Sequence, residues 1–214
     1  MSVEKSATAR EKWRRLGKWV VFAVVGIVLS PVVAIVAFGP IAHLCGARGT
    51  WTGSLPSGFY WKADLPVDKG ADVMFCPPDN SMFDIVRRPG YIPPGSPMSC
   101  PGGFPVMMKQ VVGLAGDHVI VSASGVYVNG KLIPASKPDI RDPAGRPMPH
   151  YRTDSILKRG QVFLMSQRCP RGVDGRYFGP INTRQIKYVV RPVWTCGRSG
   201  CSFLLSYFKK IYFW

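Results

Sequence analysis

Apolar residues run from Trp19 to Leu44 without a single Asp, Glu, Lys or Arg, and no later stretch repeats that pattern. Taken as helix, Trp19 to Ile41 is roughly 35 Å long at about 1.5 Å per residue, enough to cross a hydrocarbon core of about 30 Å. Pro31 is expected to kink this helix and Gly39-Pro40 to end it. The run exceeds the roughly 7–15 apolar residues of a cleaved signal peptide. Ala42-His43-Leu44 before Cys45 also makes a poor lipid-attachment site. The pattern predicts a single-pass anchor over 19–44.

Beyond the anchor the pattern changes to short β-like runs broken by turn residues. Asp72–Cys76, Lys109–Leu114 and His118–Val121 read as strands, the last two separated by an Ala-Gly-Asp turn. Val126–Val128 and Lys131–Ile133 flank Asn129-Gly130, a strong hairpin signal. Gln161–Met165 and Gln185–Val190 read as further strands, and the Pro-rich stretch 134–155 as an exposed loop. No segment after the anchor keeps a helical period over three turns. The expected body is therefore mainly β, an antiparallel sheet or barrel-like fold behind one N-terminal transmembrane helix. Four regions follow: a basic flank 1–18, the anchor 19–44, a folded domain 45–202, and an aromatic and basic tail 203–214. That tail is too short to span a bilayer and suits either the membrane interface or a last strand packed on the core.

Charge refines the placement. Of the net +16, residues 1–18 carry +4 and the remainder +12. The first block is the positive flank expected to keep the N-terminus in the cytoplasm, and long domains translocate largely regardless of charge. This puts the folded domain in the periplasm, single-pass on the inner membrane. Its basic surface suits anionic lipid headgroups. No basic cluster interleaves with aromatics as in a nucleic-acid reader, so no nucleic-acid partner is expected. Six cysteines fit an oxidising compartment, and Cys76 with Cys100 would close a Pro-rich loop. No Cys-x-x-Cys occurs and the three histidines are scattered, so neither a metal nor a cofactor is expected.

Candidate chemistry starts at Ser54, ten residues past the apolar run. A nucleophile so close to a bilayer meets substrates that are themselves at the membrane surface. A serine needs a base. His43 lies at the end of the anchor, His118 at the start of a strand and His150 in the Pro-rich stretch; surface or structural roles suit each better. Lys109 is a lone cation inside an apolar strand. Most such lysines snorkel to water. If Lys109 is instead buried, desolvation lowers its pKa from about 10.4 and yields a neutral amine able to deprotonate Ser54.

Four segments, in order, resemble the type I signal peptidases, membrane-anchored Ser/Lys proteases, and most closely their TraF-like conjugative-transfer branch. They are Ser54-Leu-Pro-Ser-Gly-Phe-Tyr60, Lys69-Gly-Ala-Asp-Val-Met-Phe-Cys-Pro-Pro78, Lys109-Gln-Val-Val-Gly-Leu-Ala-Gly-Asp117 and Asp174-Gly-Arg-Tyr-Phe-Gly-Pro-Ile181. The resemblance implies a signal-peptidase-like β fold, Ser54 as nucleophile, Lys109 as general base, and no cofactor. It also implies an oxyanion site from the Ser54 backbone N–H and the Thr52 side chain. Asp174 and Arg176 read as a structural ion pair supporting the site. Ser57 does not match the family's serine. Implied substrates are a pilin or preprotein with a hydrophobic segment, at a membrane. The branch implies conjugative pilin maturation, extending to head-to-tail cyclisation. A general secretory signal peptidase and a non-catalytic anchored envelope protein remain the alternatives. The chain departs from the family at Gly172 and Gly175, where hydroxyls are usual, so a group that would hydrogen-bond the lysine amine is missing. Ala115 also replaces a common Pro.

Overall fold

The computed structural model of the chain describes residues 18–22, 24–27, 29–31, 33, 39–50, 54–77, 81, 83–84, 88, 99–166, 172–197 and 200–203. Two units emerge, Met1–Ala47 and Arg48–Trp214. In the first, the described residues of 18–33 and 39–44 are helical, and Trp19, Phe22, Ile27 and Leu29 are exposed. Among the described residues no helix is long and apolar enough to cross a membrane. Several positions of the expected anchor, 34–38 among them, lie outside the described residues. Gly39-Pro40, expected to end the anchor helix, is itself helical, and residues 34–38 before it lie outside the described residues. The fixed φ of proline is compatible with helix, and the helical residues 39–44 lead to a turn at Cys45, whose N–H donates to the Ile41 carbonyl.

The second unit is mainly β. Its larger sheet holds β1 (Ala47–Thr50), β2 (Ser57–Ala63), β3 (Asp72–Phe75), β4 (Met107–Gly113), β9 (Gln161–Met165), β10 (Ile181–Asn182), β11 (Ile186–Gly197) and β12 (Gly200–Phe203). The order is β1-β2-β11-β3-β4-β9-β10, with β12 also on β11. A smaller sheet holds β5 (His118–Val121), β6 (Val126–Val128), β7 (Lys131–Leu132) and β8 (Thr153–Ile156), in the order β7-β6-β5-β8. The registered pairs are antiparallel. Asn129 and Gly130 adopt φ of 50° and 77°, the positive pair that a tight two-residue hairpin demands.

Strand β4 is buried on both faces. Lys109 and Val111 alternate with Met108 and Val112, and all four are buried. Val111 packs with Val73, Leu164 and Tyr177, whereas Val112 packs with Val119, Val126 and Phe163 under the smaller sheet. Double burial explains why this strand reads as an apolar run without alternation.

The Pro-rich stretch 134–155 is not simply an exposed loop. Thr153–Ile156 forms β8, and Ser136, Asp142 and Met148 are buried. The Ser136 hydroxyl accepts from the Val126 N–H, and the Asp142 carboxylate accepts from the Ala144 and Arg146 N–H groups. Proline content signals irregular backbone, and side-chain hydrogen bonds still fasten such backbone to a core. Cys76 and Cys100 are joined in a disulfide, Cα atoms 5.4 Å apart, tying the end of β3 to the segment before β4. Chain-entropy arguments value such a bridge at about 3 kcal/mol. Cys196 is disulfide-bonded as well. From residue 204 onward the tail lies outside the described residues.

Asp117 braces the two sheets. Its carboxylate accepts from Lys69 Nζ at 2.6 Å, the Leu114 N–H at 2.7 Å and Asn129 Nδ2 at 2.7 Å. Burial pushes this carboxyl up, but the three donors outweigh that and hold it below the usual Asp value. A depressed carboxyl contributes stability in full above the ordinary value of about 3.9, and that stability is lost as pH falls through the folded value. Asp117→Asn is therefore expected to lower Tm at pH 7, with the gap to the unsubstituted protein closing as pH drops below about 4. A gap that stays constant in acid contradicts this brace.

Gly58 sets a second constraint. It faces Thr195 across β2 and β11 with φ 147°, and a Cβ there would lie 2.1 Å from the Trp194 carbonyl oxygen. Gly58→Ala should lower stability by about 1–3 kcal/mol or more in chemical denaturation, because backbone must move. An unchanged denaturation midpoint would mean that β2 is not seated this closely.

Candidate active site

Ser54 occupies a bend just before β2 and is 8% exposed. The residues after it hold it there. Leu55 is buried against Tyr60, Met108 and Val190, and the Tyr60 hydroxyl donates to the Pro56 carbonyl at 2.8 Å. An apolar plug and one side-chain hydrogen bond thus fasten the bend to β2 and β4. Ser57 is instead the first residue of β2, opposite Cys196. Thr52 lies outside the described residues.

Lys109 is 2% exposed, so it does not snorkel. It lies on β4 opposite Val73 of β3. Its Nζ is 2.6 Å from Ser54 Oγ and 2.6 Å from Ser166 Oγ. Ser166 escaped the sequence reading. The signal for it is the β4–β9 register, Gln110 opposite Met165, since one step further sets Ser166 across from Lys109. His118 is engaged elsewhere, 2.6 Å from the exposed Asp154 carboxylate on the smaller sheet.

Asp174 and Arg176 are fully buried and form a bidentate pair, Nε to Oδ1 at 2.8 Å and Nη2 to Oδ2 at 2.9 Å. Burial pushes the guanidinium down, but Asp174 more than compensates and raises it above its ordinary value. Arg176 also donates to the Gly172 and Lys137 carbonyls. Asp174 caps the one-turn helix Gly175–Phe178 and accepts from the Ser166 N–H at 2.9 Å. The supporting ion pair expected from sequence thus reaches the lysine site through the backbone of Ser166. Burial raises the Tyr177 phenol above its ordinary value, and its neutral hydroxyl accepts from the Asp139 N–H at 2.9 Å.

The departure at Gly175 has a steric cause. A Cβ there would lie 2.7 Å from Phe163 Cζ and 2.8 Å from the Leu164 carbonyl oxygen. The Phe163 ring occupies the space a side chain would need. Among the described residues no group of three or more His, Cys, Asp or Glu could hold a metal ion. Clefts of about 330 and 360 Å³ lie away from this chemistry, the first beside Tyr151 and Leu157, the second beside Trp61 and Arg191.

These residues can now be set beside known proteins. Residues 16–194 match the family model described as signal peptidase, peptidase S26. A plasmid transfer protein TraF of Escherichia coli is 48% identical over 155 residues, covering 72% of this chain and 86% of that protein. A second Escherichia coli plasmid transfer protein TraF is 47% identical, covering 79% of this chain and 94% of its own length. A probable conjugal transfer protein TraF of Sinorhizobium fredii is 35% identical, covering 85% and 93%. Among solved structures, a signal peptidase I of Enterococcus faecalis aligns with 60% of this chain and all of its own, at 16% identity and a TM-score of 0.37. The family match spans most of the chain and the relatives agree with it: the chain belongs to the signal peptidase family, peptidase S26, in its TraF-like branch.

Proposed function

We propose that the protein is a membrane-anchored serine endopeptidase in which Ser54 attacks and Lys109 is the general base. The observation that carries this reading is the 2.6 Å approach of a buried amine to a buried serine hydroxyl. In the neutral form the amine lone pair accepts the Ser54 proton as Oγ adds to the scissile carbonyl carbon. The ammonium so formed returns that proton to the leaving amine as the C–N bond breaks. Water, or the substrate's own terminal amine in a cyclising reaction, then releases the acyl group from Ser54. The Ser54 N–H and Thr52 are the proposed oxyanion donors, each worth about 10²–10³-fold in rate.

The substrate proposed is a conjugative pilin precursor presented at the periplasmic face of the inner membrane, the chain being anchored through 19–44 with its N-terminus in the cytoplasm. The plasmid-transfer names of the relatives and the uncharged run ahead of Ser54 support this. Anionic lipid is the proposed neighbour of the basic domain.

Full-length protein in detergent or liposomes, assayed on a pilin precursor, should lose about 10³-fold or more in kcat with Ser54→Ala or Lys109→Ala and keep activity with Ser57→Ala. Because the base works as a free amine, kcat/KM should rise with pH through a midpoint well below the ordinary lysine value of about 10.4. Full activity in the Ser54 or Lys109 variant, or a rise confined to pH above 10, sinks the dyad. Cleavage of secretory preproteins but not pilin would reassign the substrate. The orientation predicts that protease added to spheroplasts digests the folded domain; digestion only after the inner membrane is broken refutes it.

A further inference from the structure

We infer that Ser166 is the positioning residue for the Lys109 amine, supplying from the end of β9 the hydroxyl that Gly172 and Gly175 do not provide. The inference rests on the Ser54–Lys109 dyad proposed above. A lysine side chain ends in a freely rotating amine with one lone pair, and catalysis needs that lone pair aimed at Ser54. Ser166 Oγ lies 2.6 Å from Nζ, Ser166 directly follows β9, the strand next to β4, and it is 1% exposed. When the amine is neutral, one of its N–H bonds donates to Ser166 Oγ, which leaves the lone pair free to accept from the Ser54 hydroxyl. After proton transfer the ammonium donates to both serine oxygens.

The Ser166 backbone is itself fixed. Its N–H donates to Asp174 Oδ2, and Arg176 grips that carboxylate through both of its oxygens. A path of defined contacts therefore runs from Arg176 through Asp174 and the Ser166 main chain to the lysine, then to the nucleophile. Through this path Asp174 and Arg176 act on the lysine by placing Ser166. The carboxylate binds main chain and guanidinium, and the amine meets the Ser166 hydroxyl.

Ser166→Ala removes the hydroxyl and keeps the main-chain bond to Asp174, so the fold should survive with little change in Tm. A misplaced reacting group typically costs up to about 10²-fold in rate. We expect kcat to fall about 10- to 100-fold with KM within twofold. Loss of an acceptor for the ammonium favours the free amine, so the midpoint of the acidic limb of kcat/KM should move to lower pH. Ser166→Thr, which retains a hydroxyl, should keep the unsubstituted midpoint and most of kcat. Ser166→Ala with kcat within twofold and an unmoved limb overturns the inference, as does a loss residing in KM. The same assay set includes Ser54→Ala. If that variant is inactive while Ser166→Ala is unimpaired, only the positioning role fails. If Ser54→Ala is active, the dyad itself fails.

Discussion

Burial of one lysine amine is the constraint on which the rest of this structure turns. Removing an ammonium from water is expensive, and a buried amine keeps its charge only where a carboxylate or a rich set of acceptors compensates. The Lys109 amine contacts two hydroxyls, those of Ser54 and Ser166. Hydroxyls satisfy hydrogen bonds in either protonation state and hold no net charge against the amine. The buried carboxylate of the same network, Asp174, is committed to Arg176 through both its oxygens. Breaking such a pair typically costs about 3–5 kcal/mol, so Asp174 stays with its guanidinium. The buried ion pair thus lies on one side of Ser166, and the Lys109 amine on the other.

The sheet makes that arrangement rigid. Strand β4 carries Lys109 between β3 and β9 and is packed on both faces, so the lysine backbone has little room to shift. Ser54, the proposed nucleophile, sits in a bend ahead of β2, where Leu55 and the Tyr60–Pro56 hydrogen bond anchor it to the same core. Close approach of β2 to β11 at Gly58 fixes the strand on which that bend depends. Asp117 performs a similar service further off, locking the smaller sheet through Lys69, Leu114 and Asn129. Each element supplies one side chain, and the register supplies the distances.

Much of this was legible in the chain. His118–Val121 and Gln161–Met165 form strands at the bounds read from sequence, and Asn129-Gly130 makes its hairpin, because local alternation and turn chemistry agree with the fold there. Strand β2 was legible only as a motif, since Gly58 and outward-facing Phe59 and Trp61 blur its pattern. The 134–155 stretch misled because side-chain hydrogen bonds, which carry no periodic signature, fasten it down. Ser54 and Lys109 stood out by type and context. Ser166 did not: a serine after a strand is unremarkable until the pairing of β4 with β9 brings it to the lysine. The gap at Gly172 signalled that some group must hold the amine, and tertiary register determined which.

The most direct measurement is the titration of the Lys109 side chain itself, by NMR of isotopically labelled lysine in the full-length protein in detergent, assigned with Lys109→Met. The account predicts that the Lys109 amine loses its proton far below the other lysines, well under the ordinary value of about 10.4. A Lys109 signal that stays that of an ammonium until the surface lysines titrate would contradict it.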